Sequence, residues 1–247
     1  MMQEEPSPYR ERPEISNSDA LNILTSSDIE ILGRMAWSSN STYLVNVLNN
    51  ESPLQGIYKP SNGERPLWDF PSGLYRREIA SFQVAQLIGW DIIPPTIRID
   101  GPLGVGSLQL FIPCDFETHY FHILEDPKHH RDLQKICLFD FVANSTDRKG
   151  GHCLLGNTGK VWGIDNGLTF HNDFKLRTVI WDWAGAAIPE DLLHDLKVFV
   201  DCEVGDDLAT LLSISELEAM FARTKWLIND GHFPKDPSGT RFPWPVI

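Results

Sequence analysis

The sequence predicts an α+β chain, strand-rich over residues 20–112 and mainly helical over residues 113–247. Three observations point there. Short apolar segments of two-residue period, such as "LQGIYKP" (54–60), crowd the first part. Longer segments of helical period, closed by glycine, dominate the second. With 247 residues, 42% apolar and 22% charged, the chain can bury a full core as one large domain or two closely packed lobes.

Residues 1–19 open on "MMQEEPSPYRERPEISN", rich in proline and charge without apolar period, and read as a mobile tail. "MAWSSNSTYLVNVL" (35–48) reads as two short strands around the polar turn Ser38–Ser41. "LQGIYKP" is a third strand with Ile57 and Lys59 on one side. Residues 74–89 read as a helix stopped by Gly89. "PTIRID" and "GSLQLFIP" are strands about a Gly-Pro turn, and a link at Gln109–Pro113 leads into the second part. There "DLQKICLFDFVANS" is helical, two Asp-centred loops follow, and 190–230 is mostly helix. Ser215 with Glu218 reads as the capping box of the last helix, which Gly231 closes.

The formal charge of −13 disfavours broad contact with nucleic acid or anionic membrane. No apolar run approaches membrane-spanning length, and the amino terminus does not suggest export. Four scattered cysteines, Cys114, Cys137, Cys153 and Cys202, fit reduced thiols in a cytoplasm.

Chemistry enters at Lys59, which alone reads as a strand-end lysine whose stem snorkels to water. Glu78 changes that balance, because its helix puts it on a face with Phe82 and Ala85, pointing into the protein. An inward carboxylate needs a cation, and Lys59 is the economical partner. A Lys–Glu pair behind a Ser/Asn turn is what a triphosphate site requires. Asp147 in "NSTDRKGGH" and Asp165 in "GIDNGL" supply two loop carboxylates, one to hold a divalent metal and one to orient or deprotonate an acceptor. Asn166 is either a partner of Asp165 or a turn residue. His119, His122, His129 and His130 read as a loop of solvated histidines, and Trp181 and Trp183 as packing, with Asp182 tying their segment down.

With these residues in place the chain resembles the phosphatidylinositol 3- and 4-kinase-like branch of the protein-kinase fold, closest to type II phosphatidylinositol 4-kinases and small bacterial relatives. "STDRKGGH" is similar to that branch's DRxxxN catalytic loop, and "GIDNGLTF" to its IDNGLAF metal-binding motif. The resemblance spans roughly residues 30–230. It implies a bilobal kinase-like fold, with an antiparallel-sheet N-lobe (20–112) and a mainly helical C-lobe (113–247), around ATP and Mg²⁺ or Mn²⁺. Lys59 would contact the α and β phosphates with Glu78 as its partner, and Ser38, Ser39 and Ser41 would form the phosphate-covering turn. The backbone of Gln109, Leu110, Phe111 and Ile112 would meet adenine. Asp147 becomes the catalytic aspartate, Asp165 the metal-binding one, and Arg148 a structural brace.

The sequence departs from that pattern in three places. His152 stands where the family has a metal-binding Asn, and imidazole suits Mn²⁺ or Zn²⁺ better than Mg²⁺. The alternative is that it only packs or hydrogen-bonds within its loop. The turn "SSNS" lacks glycine, and the chain after Asp165 leaves little room for an elaborate activation segment or lipid-headgroup loop. The expected function is γ-phosphoryl transfer from ATP to a soluble protein or small-molecule acceptor. The alternatives are a nucleotide-binding pseudokinase and a transferase of the nucleotidyl (AMP) group.

Overall fold

A computed structural model of the protein describes residues 15–35, 40–48 and 54–247. The chain opens with helix α1 (Asn17–Ser26), which starts inside the expected tail because the Ser16 side chain caps it, accepting from the Asp19 N–H at 3.1 Å. Strands β1 (Asp28–Arg34), β2 (Tyr43–Leu48), β3 (Leu54–Pro60), β4 (Thr96–Gly101) and β5 (Gly104–Leu110) form one antiparallel sheet in the order β1-β2-β3-β5-β4. Of the strand expected from Met35, residues 36 and 37 lie outside the described residues, and the strand seen before it is the unexpected β1. Its alternation is broken by a bulge between Ile31 and Gly33, which hides its period.

Helix α2 (Leu74–Ile88) ends on left-handed Gly89, whose N–H returns to the Ala85 and Gln86 carbonyls. Beyond β5 come α3 (Tyr120–Ile123), α4 (His130–Ala143), a small hairpin of β6 (Cys153–Leu155) and β7 (Val161–Gly163), then α5 (Glu190–Val200), α6 (Asp206–Leu211) and α7 (Ile214–Asp230). The histidines read as a solvated loop belong instead to structured turns: His119 caps α3, His130 starts α4 and His129 is buried. Tyr120 donates its hydroxyl to Asp182, tying down the Trp181–Trp183 segment. The last helix is capped by Ser213 with Glu216, two residues earlier than expected. "SISELE" contains both S-x-x-E spacings, and Glu216 is the carboxylate that also meets buried Arg77 of α2.

Two apolar clusters result, and they do not divide at residue 112. Val45, Tyr58, Leu108 and Leu110 of the sheet gather Leu154 and Trp162 of the β6–β7 hairpin. Conversely Phe82, Val84 and Ile88 of α2 pack with Leu138, Leu192, Phe199 and Leu208 of the helical part. Each part therefore lends an element to the other, which sets α2 and the hairpin at fixed places on the two sides of the cleft.

Candidate active site

The cleft is built from β3, α2 and the two Asp loops, with Ser41, Lys59, Glu64, Tyr75, Glu78, Asp147 and Asp165 among its lining. Lys59 lies opposite Ser107 in the β3–β5 ladder, and its neighbour Pro60 lies opposite Gly106. A Cβ at Gly106 would stand 2.3 Å from the Lys59 carbonyl oxygen, so the close approach of the two strands requires glycine there. From this strand the Lys59 ammonium reaches the Glu78 carboxylate and, at 2.8 Å, Asp165 Oδ1. Burial alone would lower the Lys59 pKa, but the Asp165 and Glu78 carboxylates outweigh it and hold it above the ordinary lysine value. The ammonium is therefore charged at any physiological pH.

Glu78 is only 2% exposed and serves both sides of the cleft. One oxygen takes Lys59; the other accepts the Asn166 N–H at 3.0 Å, the residue after Asp165. Helix α2 is held at this depth by Glu64, whose carboxylate accepts the Gly73 and Tyr75 N–H groups at 2.8 and 2.9 Å. At the same helix Arg77 pairs with Glu216 and donates to the Thr169 carbonyl at 2.9 Å.

Arg148, buried, is the brace of both Asp loops. Its Nε meets both Asp140 oxygens at 3.0 and 3.2 Å, Nη1 donates to the Ile164 carbonyl at 2.6 Å, and Nη2 donates to Asn166 Oδ1 at 2.7 Å. Asn166 thus holds the turn behind Asp165 and leaves the carboxylate free to face the cleft. The Asp147 carboxylate pairs with Lys149 at 3.1 Å, and burial pushes its pKa up despite that partner.

His152 closes the far side. Its Nδ1 lies 2.9 Å from the Asp147 carbonyl oxygen, which can only accept, and 3.4 Å from the Lys149 N–H, which can only donate; the shorter contact favours the tautomer with the proton on Nδ1. Burial lowers the His152 pKa to about 4, leaving the ring neutral at pH 7. The remaining lone pair, on Nε2, therefore faces Asp165 Oδ2 at 3.3 Å. Two lone-pair donors set that close, one an anion, fit a shared cation, and the Nδ1–H to carbonyl bond is the usual support for a metal-binding imidazole. The Lys59 ammonium pulls the Asp165 pKa well below the carboxylate range, so this donor is ionised.

The structure thus brings Ser41, Lys59, Glu78, Asp147, His152 and Asp165 around one cleft. Ser38 and Ser39 lie outside the described residues; Ser41 is tied to the Gly63 carbonyl through its N–H at 3.0 Å. Gln109, Leu110, Phe111 and Ile112 stand apart from this cavity. The Leu110 N–H is spent on the Pro95 carbonyl at 2.8 Å and that of Phe111 on the Gln55 carbonyl at 3.0 Å. Glu64 and Tyr75 were missed, since a loop glutamate beside a helix start carries no periodic signal.

No protein-family model matches the chain. Among solved structures, that of hydra Fam20 with sugar superposes with a TM-score of 0.59 at 14% identity, over 86% of this chain and 87% of that one. The Helicobacter pylori proinflammatory kinase CtkA superposes at 0.49 with 8% identity, over 84% of this chain and 94% of that one. The Fam20 match shows a bilobal kinase-like fold, in agreement with the α+β layout above. Among curated proteins, Protein Rv2133c of Mycobacterium tuberculosis is 35% identical, over 91% of this chain and 94% of that protein. The chain belongs to the family of Protein Rv2133c and carries the kinase-like fold.

Proposed function

We propose that the protein is a phosphotransferase that transfers the γ-phosphoryl group of ATP, bound with Mg²⁺ or Mn²⁺, to a soluble protein or small-molecule acceptor. The observation that carries this reading is the Asp165 carboxylate, set between the Lys59 ammonium and the lone pair of His152 Nε2. Asp165 and His152 would hold the metal, which when bound neutralises phosphate charge and favours departure of the ADP oxygens.

Lys59, kept protonated by Glu78, attracts the α and β phosphates, and its position is fixed before any ligand arrives. Ser41, with Ser38 and Ser39 beside it in sequence, covers the phosphates from the β2 side. Asp147 receives the proton of the acceptor hydroxyl; its raised pKa makes it a better base than an ordinary surface aspartate. Because the Leu110 and Phe111 N–H groups are already bonded, the adenine contact at Gln109–Ile112 falls to the remaining backbone groups of that link. The finer likeness, to the phosphatidylinositol 3- and 4-kinase-like branch, rests on "STDRKGGH" and "GIDNGLTF". A cytoplasmic setting is supported by four free thiols, three of them buried.

The deciding experiment incubates purified protein with ATP and either metal and identifies the nucleotide product. ADP that disappears in Asp147→Asn supports the reading. AMP overturns it in favour of nucleotidyl transfer, and nucleotide binding with no product overturns it in favour of a pseudokinase.

A further inference from the structure

Away from the cleft, the helical part carries a second cavity, of about 460 Å³ and open to solvent. That is the size of a small-molecule site. Its walls are aromatic: Phe141 of α4 and Trp226 of α7 lie 5.2 Å apart between ring centroids, Phe174 packs 5.3 Å from Phe141, and Trp181 completes the lining. Phe174 and Trp226 are 43% and 47% exposed, so apolar surface is left facing the mouth.

The charged groups of this cavity are all cations: Arg223, Lys235 and Arg241. In a chain of net charge −13 a cavity lined by three cations and no carboxylate is unexpected. Arg241 sits 4.7 Å over the Phe174 ring and is partly balanced at the rim by Asp236, 3.7 Å from its Nε. Among the described residues Lys235 forms no ion pair. Arg223 is only 8% exposed, yet among the described residues no carboxylate meets it. Its Nε donates to the Val142 carbonyl at 3.0 Å and Nη1 to the His171 carbonyl at 3.4 Å, while Nη2 is buried with no acceptor. A buried guanidinium without an anion is costly, and burial lowers its pKa to about 10. Among the described residues the other buried arginines are held differently: Arg77 has Glu216 and Arg148 has Asp140.

We propose that this cavity binds a small molecule bearing a carboxylate or phosphate on a flat apolar body. The rings stack on the body, and Arg223 with Lys235 receives the anion. The site is separate from the phosphotransfer cleft. Phe141 lies on the helix that leads into the Asp147 loop, and Phe174 lies on the segment that follows Asp165, so an occupant would touch the supports of both aspartates.

The test is calorimetric titration of 1-naphthoate, 1-naphthyl phosphate, 1-naphthol and inorganic phosphate, without ATP. It uses a Lys59→Ala, Asp165→Ala background, so that neither failure nor success depends on the nucleotide site. Both naphthyl anions should bind at least about tenfold more tightly than 1-naphthol or inorganic phosphate, and Arg223→Gln should remove that preference. The tighter of the two names the anion. Equal binding of 1-naphthol and the anions, or an anion preference that survives Arg223→Gln, overturns the proposal. Should Arg223→Gln fail to fold, the pair Lys235→Ala, Arg241→Ala, one exposed and one half-buried, decides. Loss of the preference there supports the site, and unchanged affinity refutes it.

Discussion

At Asp165 the backbone adopts φ 58°, a left-handed conformation that aspartate tolerates and that most residues avoid. The bend turns its carboxylate to Lys59 and His152 while the next N–H goes to Glu78. Removing either Lys59 or Asp165 should therefore abolish most nucleotide binding; Lys59→Ala should also lower the ligand-free Tm, by leaving buried Glu78 without its cation, whereas Asp165→Ala, at a half-exposed position, should lower it less. In thermal melts, ATP with Mn²⁺ should raise the wild-type Tm, because a ligand of the folded state stabilises by mass action. Lys59→Ala and Asp165→Ala should each lose most of that rise, and an undiminished rise in both would refute the site. His152 makes a separate prediction for the metal-free protein. Above pH 6.5, its ordinary value, the ring is neutral in folded and unfolded chains alike, and its full contribution to stability is present. As pH falls toward about 4 the unfolded chain takes up a proton that the folded chain refuses, so stability declines through that window. The loss should reach about 3 kcal/mol at the acid end. Urea unfolding in EDTA at several pH values should show this slope in wild type and a shallower one in His152→Asn; identical slopes would refute it. The Lys59–Glu78 pairing was legible because an inward charge on a periodic element demands a partner; the two loop aspartates carry no period and stood out only by their order after that pair and by the likeness of their loops to kinase motifs. The proton position on His152 was not legible, since it depends on a carbonyl that only the folded loop brings near.

Between β3 and β5 and along α2, the elements hold the site through contacts that exclude alternatives. Gly106→Ala puts a methyl group 2.3 Å from backbone, the Lys59 carbonyl, and backbone cannot rotate away as a side chain can. We expect a loss of about 3 kcal/mol and weaker nucleotide binding together, since the displaced strand carries Lys59. Arg77→Ala should cost about as much, by leaving Glu216 and the Thr169 carbonyl without their cation. Denaturant titration checks both, and a change under about 0.5 kcal/mol in either would contradict the packing described. Strands β3, β4 and β5 and helix α2 were readable from period and stop signals. Strand β1 and the true cap of α7 were not. The first is concealed by a bulge, and the second was chosen between two equal local signals by a partner 139 residues away.

Over the whole molecule, charge decides what the cleft can be presented to. The chain holds 21 Lys and Arg against 34 Asp and Glu, and among the described residues no helix is long and apolar enough to cross a membrane. A lipid kinase must dock on an anionic bilayer, where each basic residue at the surface contributes on the order of 1 kcal/mol. Here several cations are already committed inside the protein: Lys59 to Glu78 and Asp165, Arg77 to Glu216, and Arg148 to Asp140. Those pairs withdraw at least as many carboxylates as cations, so the acidic excess of the chain as a whole still stands and disfavours approach to an acidic bilayer. This is why the acceptor proposed above is soluble, although the paired Asp motifs resemble those of phosphatidylinositol kinases. Flotation with vesicles of acidic phospholipid, with and without phosphatidylinositol, at low and high salt, tests the point. The protein should stay at the bottom of the gradient under every condition. Strong binding that salt releases would reveal a basic face that the charge balance hides, and would make a membrane lipid the acceptor.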